Sequence, residues 1–242
     1  MAKDVKPPAD GARRPYSSAV RAESARRTRA AVVRAAHDLF LEHGYGGASL
    51  ADVAVRAGVA RPTVVAAFGT KPALLKRVLD EALAGDDEPV PVRDRPWFAP
   101  VWGAATAPDA LRAYADVCLL IGRRAGHVVE VVRRATDSAP EVSDLWEGWL
   151  RGRRAGAAMV VERDVVRAAL RPGLTPATAG DVLWTLNDPD LFVGLVEHQG
   201  WAEDTFRDWL ADTMVRLLLD DRQDDRPDDP RPHAARRTRP RR

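Results

Sequence analysis

The spacing of apolar residues along the chain predicts helices. Near the N-terminus, Val32, Ala36 and Phe40 recur every four residues, which places them on one face of an α-helix. This pattern predicts a first helix over about residues 24–43, and Gly44 is expected to end it as a C-cap. Sustained alternation of apolar and polar residues, the pattern of a half-buried strand, does not occur. The expected fold class is therefore all-α.

Three more helices are predicted to follow at once. Ser49 is a good N-cap, and Asp52 three residues later supplies an acidic variant of the capping box. A second helix therefore begins there and stops at Gly58, a third covers residues 61–68, and a fourth covers about 71–83. Two short helices around a tight glycine-containing turn make a helix-turn-helix. Because helices this short are unstable alone, their neighbours must hold them in place.

The rest of the pattern predicts a larger helical body. A proline-rich connector after the fourth helix carries Trp97, Phe98 and Trp102, and this apolar content indicates that it packs against the body. Five further helices are expected, over residues 108–136, 141–170, 176–187, 189–198 and 203–220.

Low-complexity segments stand at both ends of this helical region. The first 22 residues are rich in proline, lysine, arginine and serine, and the last 22 are acidic and then basic. Both segments lack apolar periodicity and are predicted to be disordered. The expected divisions are a basic arm over 1–22, a helix-turn-helix domain over 23–84, a helical body over 85–220 and a tail over 221–242.

Charge is segregated along the chain, although the net charge of the 242 residues is only +2. Residues 1–85 hold 14 basic and 8 acidic side chains, a net of +6, whereas residues 86–230 hold 17 and 27, a net of −10. A basic N-terminal module on an acidic body is typical of a protein whose first domain meets a polyanion. Chance clustering on a solvated surface is the alternative that charge alone leaves open.

Several classes of protein are disfavoured by features that the sequence lacks. Without a long apolar run or a secretory signal, and with Cys118 as its one cysteine, the chain is expected to be cytoplasmic and not to enter a membrane. The five histidines show no metal-ligand spacing, no G-x-S-x-G is present, and "GYGGAS" lacks the Lys-Ser/Thr ending of a P-loop. We therefore expect no enzyme, no catalytic residue, no cofactor and no metal.

The residues from 24 to 83 resemble the N-terminal DNA-binding domain of the TetR family of transcriptional regulators. The resemblance rests on residues spread in order across the predicted helix-turn-helix: Phe40, Gly44, Tyr45, Ser49, Asp52, Val53, Ala54, Ala57, Gly58, Val59, Thr63, Phe68, Lys71 and Leu74. It implies a helical ligand-binding and dimerisation domain after the DNA-binding domain. Where the family usually carries a tyrosine and then a histidine or tyrosine that reach phosphates, this chain has Val65 and Ala67, which donate no hydrogen bond.

The resemblance also implies which residues meet double-stranded DNA. The candidates are Arg26, Arg29, Ser49, Arg61, Pro62, Thr63, Val65 and Lys71. Arg61 leads the third helix, where it reads a guanine bidentately or holds a phosphate, and both interpretations stay open. Ser49 is either an ordinary cap or part of a phosphate site at a helix N-terminus. Arg26 and Arg29 are candidates to replace the missing phosphate donors.

Two further sets of residues are expected in the body. A small-molecule pocket is expected among the middle helices, with these candidates: Trp102, Tyr114, Cys118, His127, Trp146, Trp149 and Trp184. Aromatic residues at helical spacing are also common in plain cores, so this alternative stays open. The last two helices are expected to form a homodimer interface through these residues: Leu191, Phe192, Leu195, Phe206, Trp209, Leu210, Met214 and Leu217.

The sequence thus predicts a ligand-responsive DNA-binding regulator. It is expected to act as a repressor, to bind a partly palindromic operator as a homodimer, and to respond to an unknown small-molecule effector. The alternative is a ligand-binding or protein-binding dimer of the same fold that has lost operator binding, which Val65 and Ala67 keep open.

Overall fold

A computed structural model describes residues 14–220 of the chain. The predicted tail over 221–242 and the first 13 residues of the predicted arm lie outside this range. Within it the fold is all-α, as expected, and the one extended pairing is an isolated bridge between Leu170 and Leu219. The α-helices are α1 (Arg14–Gly47), α2 (Leu50–Ala57), α3 (Arg61–Phe68), α4 (Lys71–Ala84), α5 (Ala99–Gly103), α6 (Ala107–Ala135), α7 (Ser143–Val161), α8 (Asp164–Ala168), α9 (Pro176–Leu186), α10 (Pro189–Phe192) and α11 (Glu203–Leu218).

Helix α1 begins earlier than the sequence pattern predicted. It starts at Arg14, so the expected disorder is wrong for residues 14–22. Between Pro15 and Gly44 the chain has no glycine or proline, and proline is compatible with a first helical turn. The backbone leaves helical geometry at Gly44, with φ 67° and ψ 176°, where the sequence placed the end of the helix.

The helix-turn-helix follows its local sequence signals closely. Ser49 and Asp52 form the predicted capping box, and Gly58 takes the left-handed conformation that ends α2. Helix α3 has the predicted bounds, residues 61–68. The side chains of Val53, Val64 and Leu74 are at most 1% exposed, so α2, α3 and α4 are joined by one core.

The predicted helix over 141–170 is two helices. Helix α7 ends at Val161, the backbone is extended at Arg163, and α8 begins at Asp164. The Arg163 side chain donates to the carbonyl oxygens of Trp102 and Ala104, both at 2.9 Å, which ties the break to the connector. These partners are about 60 residues distant in sequence, and local periodicity carries no information about them.

Two close approaches decide the packing around α6. A Cβ on Gly122 would lie 2.6 Å from the Phe192 Cβ, and a Cβ on Gly126 would lie 2.9 Å from a Val193 methyl group. Gly122 lets α10 pack directly on α6, and Gly126 does the same for the residue that follows α10. The expected helix over 189–198 is accordingly the short α10 followed by a π-helical turn at Val193–His198.

Helix α6 connects the N-terminal domain to the body. Its C-terminal half contributes Val128, Val129 and Val132 to the same buried cluster that holds Phe40 of α1 and Leu75 of α4. A second cluster forms around the N-terminal half of α6 and holds α11. Among residues 14–220 no helix combines the length and apolar character that crossing a bilayer requires.

Candidate DNA-binding surface and ligand cavity

The start of α3 projects a small group of side chains into solvent. Arg61, Pro62 and Thr63 are exposed, and Val65 is 42% exposed. Val64 points the other way and is fully buried, which anchors the helix. Arg61 makes no ion pair within the described part of the chain. The structure therefore brings four of the eight predicted DNA-binding residues together on one exposed turn.

Ser49 is occupied by its own helix cap. Its hydroxyl donates to the Asp52 carboxylate at 2.6 Å and accepts the Asp52 backbone N–H at 3.2 Å, and its backbone N–H donates to the same carboxylate at 3.0 Å. These hydrogen bonds lower the pKa of Asp52. A phosphate at this end of α2 would meet a carboxylate already bound there, so these contacts favour the ordinary-cap interpretation of Ser49.

The two candidate arginines of α1 have different surroundings. Arg26 donates to both carboxylate oxygens of Asp87 at 2.9 and 3.0 Å. This pairing, 61 residues apart in sequence, lowers the pKa of Asp87 and turns Arg26 toward the connector. Arg29 is exposed and makes no ion pair among residues 14–220, so of the two only Arg29 is unengaged.

Lys71 lies at the junction of the N-terminal domain and the body. Its Nζ sits 4.1 Å from the centre of the Tyr45 ring, and burial lowers its pKa. Tyr45 donates its phenolic O–H to Glu141 at 3.2 Å, next to the start of α7. Burial and this hydrogen bond raise the pKa of Tyr45 to about 12. Lys71 is thus packed on an aromatic ring instead of extending into solvent as a point charge.

A cavity of about 660 Å³ opens between α4, α6, α7 and the connector. This volume is in the range of small-molecule sites, which are mostly apolar with a few placed polar groups. The apolar wall is formed by these residues: Leu79, Leu83, Val92, Phe98, Val117, Ile121, Leu145 and Trp149. One face of α7 adds Gly148, Gly152 and Gly156.

Three polar side chains of the cavity, those of Arg153, Asn187 and Tyr114, form one hydrogen-bonded chain. Arg153 is only 7% exposed and donates to the Asn187 Oδ1 at 3.1 Å and to the Trp184 carbonyl at 2.8 Å. Its third nitrogen lies 2.9 Å from the Asp188 carboxylate. Asn187 in turn donates to the Tyr114 hydroxyl oxygen at 2.8 Å. The guanidinium is therefore neutralised, and the network fixes the side chains that face the cavity.

Burial keeps two of these groups protonated. It raises the pKa of Tyr114 far above its usual value and raises that of Cys118 to about 12, although Arg153 acts in the opposite direction on both. The Cys118 thiol is accordingly a poor nucleophile, because the thiolate is the reactive form. At neutral pH both groups face the cavity as uncharged donors.

The exposed rim of the cavity is acidic. It carries Asp80, Glu141 and Asp144 with Lys76. Lys76 pairs with Asp80 at 2.6 Å, which leaves an excess of two carboxylates at the opening.

A sequence profile of bacterial regulatory proteins of the TetR family matches residues 32–78, which run from the middle of α1 to the end of α4. The exposed helix-turn-helix lies inside this match. Residues 32–78 are therefore identified as a DNA-binding region of the TetR family. No curated protein sequence matches it.

Solved structures share the fold of this chain over almost their whole length. NalD, the secondary repressor of the MexAB-OprM multidrug efflux pump in Pseudomonas aeruginosa, is 25% identical with a TM-score of 0.60, over 81% of this chain and 98% of that one. A putative regulator from Saccharomonospora viridis in complex with choline is 19% identical with a TM-score of 0.62, over 82% and 99%. FadR from Bacillus subtilis in complex with stearoyl-CoA is 17% identical with a TM-score of 0.62, over 77% and 97%.

Three of the seven expected pocket residues line the cavity, namely Tyr114, Cys118 and Trp149. Trp102 does not, because it stacks on Phe98 and donates its indole N–H to the Arg93 carbonyl. His127 is on the exposed side of α6, where it pairs with Glu197 at 2.8 Å.

The remaining two tryptophans also lie away from the cavity lining. Trp146 packs on the cluster shared by α1, α4 and α6. The ring of Trp184 packs against the guanidinium groups of Arg153 and Arg154 at 5.1 and 5.2 Å. Sequence reasoning missed Arg153, Asn187 and the whole α4 wall. The four-residue spacing of Gly148, Gly152 and Gly156 within a helix is a signal that could have indicated the cavity, and the sequence analysis did not use it.

Half of the predicted dimer residues are buried inside the protomer. Phe192, Phe206, Leu210 and Met214 are at most 3% exposed, so their assignment to a dimer interface is wrong. The most apolar stripe of α11 packs on α6 of the same chain. Leu191, Leu195 and Trp209 are half-buried and Leu217 is 44% exposed, so only these four stay on the surface of the protomer.

Proposed function

We propose that the protein is a homodimeric repressor that binds a partly palindromic DNA operator through α3 and is released by a small molecule bound in the cavity. The observation that carries this proposal is the exposed first turn of α3, which holds Arg61 and Thr63 outward while Val64 anchors the helix in the core. A short helix clamped in this way is suited to enter a major groove with its first residues at the base edges.

The charge distribution supports DNA as the partner. Residues 1–85 carry a net of +6, from 14 basic and 8 acidic side chains. Attraction to the phosphate backbone supplies much of the affinity of DNA-binding proteins. The acidic body would keep DNA contact confined to the N-terminal domain.

Apolar residues on the surface of the last helices support a homodimer. Leu195, Trp209 and Leu217 remain accessible, and Trp201 packs edge-on against Trp209 at 5.9 Å. A two-fold interface built on this surface would present two α3 helices to one face of the duplex. Operator half-sites one helical turn apart, about 34–36 Å, or somewhat further, are the expected spacing.

The position of α4 supports regulation by a ligand. The helix begins beside α3, lines the cavity through Ala73, Leu79 and Leu83, and shares a core with α6. A ligand that binds better to one arrangement of α4 would shift the population of the dimer toward that arrangement. NalD, a repressor, and the relatives crystallised with choline and stearoyl-CoA support repression and small-molecule binding for this fold.

A dimer without operator binding is the second candidate, and specific contacts favour it. Val65 and Ala67 have no donors, and Arg26, Ser49 and Lys71 already contact groups of their own chain. Of the predicted DNA-binding residues, Arg29, Arg61 and Thr63 are then left to contact phosphates.

Selection of bound duplexes from a random DNA pool at low salt separates the two candidates. A repressor is expected to enrich an inverted repeat. Val65→Glu, which puts a carboxylate on the exposed face of α3, should abolish enrichment because it would face phosphates and base edges. Val90→Glu, an exposed valine of similar accessibility in the connector, is the matched control and should enrich the same repeat. Recovery of no sequence by the folded wild-type protein would overturn the repressor and favour the second candidate.

A further inference from the structure

We propose that the cavity binds an uncharged, largely apolar molecule that carries one hydrogen-bond acceptor of the carbonyl type, and that Tyr114 donates to this acceptor. The inference rests on the proposed function, since it names the class of the effector for the same cavity. It is carried by the shape of the α7 wall and by the polarity of the groups that line the buried end.

The α7 wall leaves space that the fold does not require. Glycine is the least favourable residue in a helix interior after proline, and its usual use is to admit a close neighbour. Gly122 of α6 has such a neighbour in Phe192. In contrast, a Cβ added to Gly152 or Gly156 would meet nothing within 4 Å. Both positions line the cavity, Gly156 half-buried and Gly152 exposed, so neither adds a side chain to its α7 wall.

The hydroxyl group of Tyr114 has a donor to spare. The side chain is 4% exposed and lines the cavity, and its oxygen already accepts from Asn187. Within residues 14–220 it donates to no acceptor. A buried hydroxyl that lacks a partner is unfavourable, and a ligand with a carbonyl oxygen would supply one. Cys118 adds a second, weaker donor beside it.

An anionic ligand does not fit these groups. Arg153, the buried cation of the cavity lining, is bound by Asp188, Asn187 and the Trp184 carbonyl, so an anion at the buried end would go without a counter-charge. Burying an uncompensated charge is costly.

A cationic ligand does not fit the buried end either. The ring of Trp149 already faces the Arg153 guanidinium at 5.8 Å, and Phe98 stacks on Trp102 at 4.9 Å. The donors of Tyr114 and Cys118 would point their positive ends at the cation. The rim carboxylates are exposed, where ion pairs contribute little affinity.

Competition against an uncharged fluorescent dye tests the ligand class on the full-length protein without DNA. The dye is 1-N-phenylnaphthylamine, and the competitors are hexanophenone, hexylbenzene, 4-hexylbenzoate and 4-hexylbenzylammonium. We expect hexanophenone to bind about three- to tenfold more tightly than hexylbenzene, which lacks the acceptor. Both charged compounds should bind about tenfold or more weakly than hexanophenone because of desolvation. A charged compound that binds most tightly would overturn the proposal.

Two variants locate the binding. Tyr114→Phe should erase the preference for hexanophenone over hexylbenzene while the dye still binds, and a preserved preference would overturn the role of Tyr114. Gly152→Leu should weaken the dye about tenfold or more by filling the cavity. Ala155→Leu, an exposed position on the same helix outside the lining, is the matched control and should bind the dye as the wild type does. Equal dye binding by Gly152→Leu would overturn the site.

The outcome is independent of operator binding. A protein that enriches no DNA sequence but prefers hexanophenone through Tyr114 would refute the repressor and support the ligand class. A protein that enriches an inverted repeat but binds 4-hexylbenzoate more tightly than hexanophenone would support the repressor and refute the ligand class.

Discussion

Single residues in this protein show how the same amino acid serves opposite purposes. Gly122 and Gly152 both lie inside helices, but the first is pressed against Phe192 and the second borders open space. Sequence alone does not distinguish these two glycines, because the role of each depends on what packs opposite it in the folded protein.

This difference predicts stability changes of opposite sign. Gly152→Ala should raise the free energy of unfolding by up to about 1 kcal/mol, since alanine is the better helix former and its methyl group meets no atom. Gly122→Ala should lower it by about 1–3 kcal/mol, because the methyl group would overlap Phe192. Urea denaturation measures both. A loss of stability in Gly152→Ala would show that the space along α7 is needed by the fold.

Arg61 is the residue with the clearest prospect of reading sequence. Arg61→Ala should cost about 1–3 kcal/mol on the selected operator and relax preference at one base pair if the side chain contacts a guanine. Arg112→Ala, an exposed arginine at the start of α6, is the control. Titrations on operator and scrambled duplexes decide the matter, since an equal loss on both would assign Arg61 to a phosphate.

At the scale of secondary-structure elements, the N-terminus of α2 is the feature that the local sequence explains best. The capping box of Ser49 and Asp52 satisfies backbone donors that no helical carbonyl reaches. Local sequence was sufficient here because the partners are three residues apart. The break between α7 and α8 shows the opposite case, since Arg163 is held by carbonyls of the connector.

Removal of the cap should destabilise the DNA-binding domain in a pH-dependent way. Ser49→Ala is expected to lower the free energy of unfolding by about 1 kcal/mol at pH 7. The bonds from Ser49 lower the pKa of Asp52, so their contribution is present above its unfolded pKa and is lost as pH falls through the lower folded value. The difference in free energy of unfolding between variant and wild type should therefore narrow below about pH 4, and the part due to the bond between the Asp52 backbone N–H and the Ser49 hydroxyl should remain. A gap that stays constant down to pH 2 would contradict a role for the Asp52 charge.

At the scale of the whole molecule, the apolar face of α11 packs inside the protomer, and this changes how dimerisation has to be tested. Truncation before this helix would remove Phe206, Leu210 and Met214 from the core of the protomer and unfold it. Surface substitutions avoid this effect.

Leu217→Glu should weaken the dimer about tenfold or more, because it would bury a charge in the proposed interface. Leu41→Glu places the same change at a leucine of similar exposure on α1, 39% against 44%, and should leave the dimer intact. Sedimentation velocity over a concentration series measures the dissociation constants. An unchanged dimer in Leu217→Glu would move the interface away from the end of α11.

The sequence by itself determined the helical class, the capping box at Ser49, the bounds of α3 and the resemblance that named the family. Each of these depends on residues within a few turns of one another, where periodicity and capping rules apply. The tertiary structure decided that Arg26 pairs with Asp87 and that Phe206 faces inward. It also decided that Tyr114, Asn187 and Arg153 meet beside the α7 glycines. These contacts join residues distant in sequence, and only the packing of helices against one another brings them together.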